Sequence, residues 1–139
     1  MANQEWRMMS ITGRPRDIEE RTFRFGVRVV RAAGALPRTA AGAVLARQVI
    51  RSGTSVGANI QEAQGSPSKR DFVWRMNIAR SEARETLYWI RLISESEMIP
   101  KARLKELESE ANQIVSILTA IVKKSRSSEV RGKRESVGG

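Results

Sequence analysis

The chain contains no cysteine and no histidine. Without cysteine there is no disulfide framework, no thiolate nucleophile and no cysteine-based metal site. Without histidine the commonest general base and metal ligand are missing. Serine-triad, zinc-hydrolase and Glu-x-x-His di-iron chemistry are therefore excluded in their usual forms. No apolar run approaches the roughly 18 residues of a membrane span. Met1 to Ser10 lacks the apolar stretch of a signal peptide. The expectation is one cytoplasmic domain, long enough at 139 residues to bury a core, with no cofactor and no metal.

Acidic residues are also in deficit: 15 Asp+Glu stand against 25 Lys+Arg, for a net charge of +10. Such an excess favours anionic partners, above all nucleic acid, and less often an anionic membrane surface or an acidic protein.

No segment alternates with period two for long enough to make a strand, and helical spacing dominates. Residues 1–16 are polar, carry Gly13 and Pro15, and read as an irregular N-terminal arm. Asp17 with Glu20 resembles a capping box. Ile18, Thr22, Phe25, Val29, Ala33 and Leu36 then follow at helical spacing, so a first helix spans about 17–35. A second starts near Thr39, carries Val44, Leu45, Val49, Val56, Ile60 and Ala63, and ends around Gly65-Ser66-Pro67. Ser68 and Asp71 signal a third, about 68–96, with a seam of Phe72, Met76, Ala79, Ala83, Thr86, Ile90 and Ile93. Pro100 suits the first turn of a fourth. Its stripe of Leu104, Leu107, Ala111, Ile114, Leu118 and Ile121 is the strongest periodic signal in the chain. The pattern stops near Ser125, and 126–139 reads as a basic flexible tail. Residues 17–125 thus form an all-α, antiparallel up-down-up-down four-helix bundle with short connections.

The stretch Arg51-Ser-Gly-Thr-Ser-Val-Gly-Ala-Asn-Ile-Gln-Glu-Ala63 is unusual inside this pattern. Each interior glycine costs a helix about 1 kcal/mol against alanine. Either the stretch is a loop, or the bare residues Ser52, Gly53, Gly57 and Ala58 allow close backbone approach. On the second reading Gly53 and Gly57 lie against another backbone in a tight hairpin of helices 2 and 3. That hairpin turns near Ser66, which sets Arg51 opposite Ser81 or Glu82 and Arg47 opposite Glu85; across the next turn Arg91 falls near Glu106.

Two further stripes admit two readings each. Phe23, Val27 and Val30 on helix 1, and Trp74, Ile78, Tyr88 and Trp89 on helix 3, lie off the main seams. They are either a subunit interface or the edge of a wide core. Arg21, Arg24, Arg28 and Arg31 line one face of helix 1, with Arg38 just beyond it. Asp17 and Glu20 stand at i,i+4 to the first two, which suits local pairing. Arg28 and Arg31 have no such neighbour and are free to face phosphates. Lys123, Lys124 and Arg126 open a basic stretch suited to sequence-independent phosphate contact. Aromatics are not interleaved with these charges, so base stacking of the single-strand-binding type is not indicated.

The 51–63 stretch, Ser68-Lys-x-Asp-Phe72, Ile78-Ala79, Glu82-Ala-Arg-Glu-Thr86 and Tyr88-Trp89, with Asp17-Ile-Glu-Glu-Arg-Thr-Phe23 and Leu36-Pro37 upstream, closely resemble the bacterial four helix bundle protein family. That family includes proteins encoded in intervening sequences of large-subunit ribosomal RNA genes and the accessory variability determinant of diversity-generating retroelements. Ala63 stands where many relatives have glycine. The resemblance implies a homopentameric barrel with a positively charged surface, binding to RNA or DNA without sequence preference, no enzymatic activity and, in the retroelement branch, a reverse transcriptase partner. It marks Arg51, Gly53, Ser55, Gly57, Asn59, Glu62, Glu82 and Glu85 as a structural signature, with Asn59 and Glu62 keeping helices 2 and 3 in register. Phe23, Val27, Trp74 and Trp89 are the candidate interface between subunits. The competing reading is a protein-interaction scaffold for an acidic partner. A metal-dependent enzyme built on Glu62, Glu82 and Glu85 is a distant third.

Overall fold

A computed structural model describes the backbone of residues 15–137 and the side chains of 17–127. Of the irregular arm expected over 1–16, residues 1–14 lie outside the described residues and 15–16 are helical instead; of the tail, 138–139 lie outside. Four helices follow one another: α1 (Pro15–Gly34), α2 (Ala40–Gln64), α3 (Lys69–Glu95) and α4 (Lys101–Val137). Each packs on the next, and α4 closes on α1 over a smaller contact, so α1 stands across the bundle from α3. This is the all-α up-down bundle read from the seams.

The boundaries have local causes. Thr39 caps α2, its hydroxyl accepting from the Gly42 N–H at 3.0 Å. Ser68 caps α3, accepting from the Asp71 N–H at 3.2 Å and donating to the Asp71 carboxylate at 2.9 Å. The Pro100 carbonyl accepts from the Arg103 N–H at 2.9 Å and opens α4. Two ends differ from expectation. α1 begins at Pro15, so Asp17 sits inside the first turn, where its charge favours the helix dipole, and does not cap the helix. α4 runs on to Val137, well past the end expected at Ser125. The apolar stripe does stop there, but the Arg, Lys and Glu that follow are good helix formers and need no stripe to continue the helix.

The core is the set of seams. Phe25, Phe72, Met76, Ile60, Ile90, Ile114 and Leu118 are all fully buried. Val44 does not join them and is 49% exposed. It precedes Val49 by five residues, about 140° around the helix from the buried face.

The 51–63 stretch is helical throughout. Ser52, Thr54 and Ser55 each donate a hydroxyl to the carbonyl four residues back, at 3.1, 2.7 and 2.7 Å. Those bonds satisfy the side chains without breaking the helix. Gly57 lies against another backbone as expected, that of α1, whereas Gly53 faces an α1 side chain. A Cβ on Gly57 would meet the Thr22 carbonyl oxygen at 3.2 Å, and one on Gly26 would meet the Gly53 carbonyl oxygen at 3.8 Å. The nearest neighbour of Gly53 is the Val29 side chain, at 2.7 Å from such a Cβ. A small-residue face shows that something approaches closely; it does not say from which side.

Candidate nucleic-acid interface

The α2–α3 seam is a structural site. Ser52 and Thr86, both buried, bring their hydroxyl oxygens to 2.9 Å, and the single Thr86 proton has two acceptors within reach, the Ser52 hydroxyl and the Glu82 carbonyl at 2.7 Å. Arg51 lies 3.4 Å from Glu82 and also pairs with Glu85, which accepts from the Trp89 indole at 3.1 Å. Asn59 bridges the two helices, donating to the Ser55 carbonyl at 2.9 Å and accepting from Arg75 at 3.2 Å.

Several expectations fail here. Arg47 does not hold Glu85, because Arg51 reaches both carboxylates, which stand three residues apart on one face of α3. Glu62 is exposed and makes no side-chain hydrogen bond or ion pair among the described residues, so it does not set the register. With Glu82 and Glu85 held by Arg51, the carboxylate trio does not converge, and no group of acidic residues suited to a metal occurs among the described residues. Arg91 meets Glu108, at 3.9 Å, and not Glu106.

The helix 1 arginines divide into two kinds. Arg21 is committed to α4. Its guanidinium contacts Glu110 at 2.5 Å and donates to Gln113 at 2.7 Å. The hydrogen bond to Glu110 holds its pKa above the ordinary arginine value. The Asp17–Arg21 pair expected from spacing gives way to this interhelical one, because α4 lies within reach and partly desolvates the site. Arg24 pairs with Glu20 at 2.8 Å on the open surface, a contact worth only about 0.3–0.5 kcal/mol.

Arg28 and Arg31 have no ion pair among the described residues. With Arg103 of α4 they line a groove of about 220 Å³ whose apolar floor includes Ala32, Ile99 and Leu107. Arg103 escaped the sequence reading. Arg21 pairs with Glu110 across antiparallel helices, and the same offset carries Arg28 and Arg31 towards Arg103, so the pairing register was the missing signal. Three guanidiniums without carboxylate partners among the described residues thus surround one depression, an arrangement whose chemistry suits an anion.

The other cations lie elsewhere. Arg38 is exposed in the α1–α2 connection, beside a depression formed with Pro37 and Thr39. Lys123, Lys124 and Arg126 are exposed on α4, about 30 Å along the helix from Arg103. Arg28, Arg31 and Arg103 are thus one cluster, and the α4 cations near Ser125 are a second.

The off-seam apolar residues also divide. Phe23, Val27 and Trp74 are exposed, at 67%, 37% and 56%. Trp89 is not; it is half-buried, packs against the core and is tied to Glu85. Its neighbour Tyr88, 59% exposed, takes the outward position and meets the Trp89 ring edge-on at 5.1 Å between centroids. Among the described residues no helix is long and apolar enough to cross a membrane.

The model of the family described as 23S rRNA-intervening sequence protein matches residues 16–120, from the start of α1 through most of α4. A crystal structure of a protein of unknown function from the S23 ribosomal protein family of Bacteroides thetaiotaomicron is 34% identical. It superposes with a TM-score of 0.73 over 78% of this chain and 97% of that one. No curated protein matches. The matched region contains Arg28, Arg31 and Arg103 and excludes Lys123, Lys124 and Arg126.

Proposed function

This chain belongs to the 23S rRNA-intervening sequence protein family, and from that premise we propose that it is a non-enzymatic, nucleic-acid-binding accessory protein. It holds RNA or DNA phosphates with the guanidiniums of Arg28, Arg31 and Arg103, and it works as a ring-shaped homo-oligomer, a homopentamer by the resemblance of its sequence. The observation that carries the reading is the unpaired arginine cluster at the α1–α4 groove, on a chain of net charge +10. Arg24 and Arg38, with Lys123, Lys124 and Arg126, add field strength and loose phosphate contacts around it. Guanidiniums on a smooth helical surface reach phosphates more readily than base edges, so sequence preference is small. A reverse transcriptase is the protein partner consistent with the same resemblance.

The test is fluorescence anisotropy with a labelled RNA and a labelled DNA duplex of mixed sequence, across salt concentrations. Each neutralised phosphate contributes about 0.7–0.9 to the slope of log affinity against log salt, depending on strandedness. The triple variant Arg28→Glu, Arg31→Glu, Arg103→Glu should flatten that slope by about two to three contacts' worth on every sequence, with helix content unchanged. Salt-independent affinity, or a triple variant that binds normally, would refute the reading. A pull-down that survives nuclease treatment would then favour the scaffold for an acidic protein.

A further inference from the structure

The exposed apolar side chains gather in two places of opposite shape. One is concave: a groove of about 490 Å³ between α1 and α2, lined by Phe23, Val27, Val30, Gly57 and Ala58. Gly57 and Ala58 leave little side chain over the backbone of α2 there. The other is convex: a ridge on α3 made by Trp74 and Tyr88, about four turns or 21 Å apart along the helix. α3 stands across the bundle from α1, so groove and ridge open on different sides of the chain.

We propose that the α3 ridge of one copy seats in the α1–α2 groove of the next. This rests on the assembly stated above and names the surfaces that make it. Aromatic knobs on an apolar depression supply the desolvated centre that a specific interface needs. The local charges also match, although the whole chain is cationic. The groove carries Glu19 at one end of its wall and Glu62 beside its lining residue Gln61, neither ion-paired among the described residues, while Arg31 lines its opposite end, about 18 Å along α1 from Glu19. The ridge carries Arg75, whose guanidinium lies 4.9 Å from the Trp74 ring centroid, with Arg70 and Arg84 exposed on the same helix; the exposed Asp71 beside Trp74 is engaged by the Ser68 hydroxyl. A second copy therefore brings cations to the acidic end of the groove together with the aromatic that fills it. Groove and ridge are different surfaces, so the contact is head-to-tail; it repeats from copy to copy and must close into a ring or run on as a filament.

A mixing experiment tests this. One variant loses the groove (Phe23→Glu with Val27→Glu) and the other loses the ridge (Trp74→Glu with Tyr88→Glu). All four positions are exposed, so wild-type far-UV circular dichroism is expected of both, and alanine versions serve if a glutamate pair lowers helix content. After nuclease treatment, each variant alone should scatter light as a 15.6 kDa monomer. The equimolar mixture should give a species of twice that mass and nothing larger, because one intact groove meets one intact ridge and both outer surfaces are dead. If the wild type assembles but the mixture stays monomeric, or if either variant still assembles alone, the groove–ridge pairing is wrong while the assembly stands. If the wild type is itself a monomer at micromolar concentration, the assembly reading fails and the pairing with it.

Discussion

Replacing Gly53 and Gly26 by alanine, one at a time, should stabilise only at Gly26, although the two glycines face each other across the α1–α2 crossing. In an exposed helix interior, glycine to alanine gains about 1 kcal/mol from backbone entropy. At Gly26 the new methyl meets only the Gly53 carbonyl oxygen at 3.8 Å and the Thr54 Cα at 4.0 Å, ordinary contact distances, so most of that gain survives. At Gly53 the methyl would sit 2.7 Å from Val29 Cγ1, 3.0 Å from Cγ2 and 3.1 Å from Cβ. Val29 is fully buried. Its branched side chain has one strongly preferred rotamer in a helix, so it cannot swing away. Overpacking of this kind costs about 1–3 kcal/mol. Set against the entropic gain, Gly53→Ala should be neutral to destabilising by about 2 kcal/mol, leaving the two variants about 1–3 kcal/mol apart. Urea unfolding at one fixed protein concentration reads this as a raised midpoint for Gly26→Ala and an unchanged or lowered one for Gly53→Ala, at constant slope. Val29→Ala should cost less in the Gly53→Ala background than in the wild type, because it removes the clashing methyls. Equal stabilisation by both alanines, or additive behaviour with Val29→Ala, would refute the packing argument.

Two further substitutions probe the seams. Ser52→Ala should destabilise by about 1 kcal/mol, and a double-mutant cycle with Thr86→Val should show coupling of about 0.5–1.5 kcal/mol, since the two hydroxyls meet in the dry core; a coupling near zero in equilibrium unfolding would mean that each hydroxyl is satisfied by its own helix. Arg21→Ala should cost about 1 kcal/mol by loss of the Glu110 and Gln113 contacts, against a few tenths for Arg24→Ala. The raised pKa of Arg21 means that its stabilising contribution is fully present below the unfolded-state value and is lost only as pH rises through the folded one. Both lie above the range in which the protein is handled, so the cost of Arg21→Ala should not change between neutral pH and mildly alkaline pH; a cost that vanishes over that interval would contradict the Glu110 assignment.

The amino-acid sequence by itself determined the four helices, the caps of α2 and α3, most of the buried faces and the excess of positive charge. Thr39 and Ser68 cap with atoms three residues away, and the seams of α3 and α4 repeat with the helical period, so each is decided locally. It also marked Gly57 as a place of close approach and Arg28 and Arg31 as cations without local partners. Tertiary structure decided what each face meets. Arg21 was taken by Glu110 and not by Asp17, Glu85 by Arg51 and not by Arg47, and the glycines of α2 by α1 and not by α3. Arg103 joined the arginine cluster from the far end of the sequence, and Tyr88 took the outward place expected of Trp89. The physical reason is common to all of these. Helical periodicity fixes the direction in which a side chain points to within a fraction of a turn, whereas a contact between helices depends on their relative rotation and axial offset. A shift of one turn, about 5.4 Å, exchanges one partner for the next, and only the packing of the whole core sets that offset.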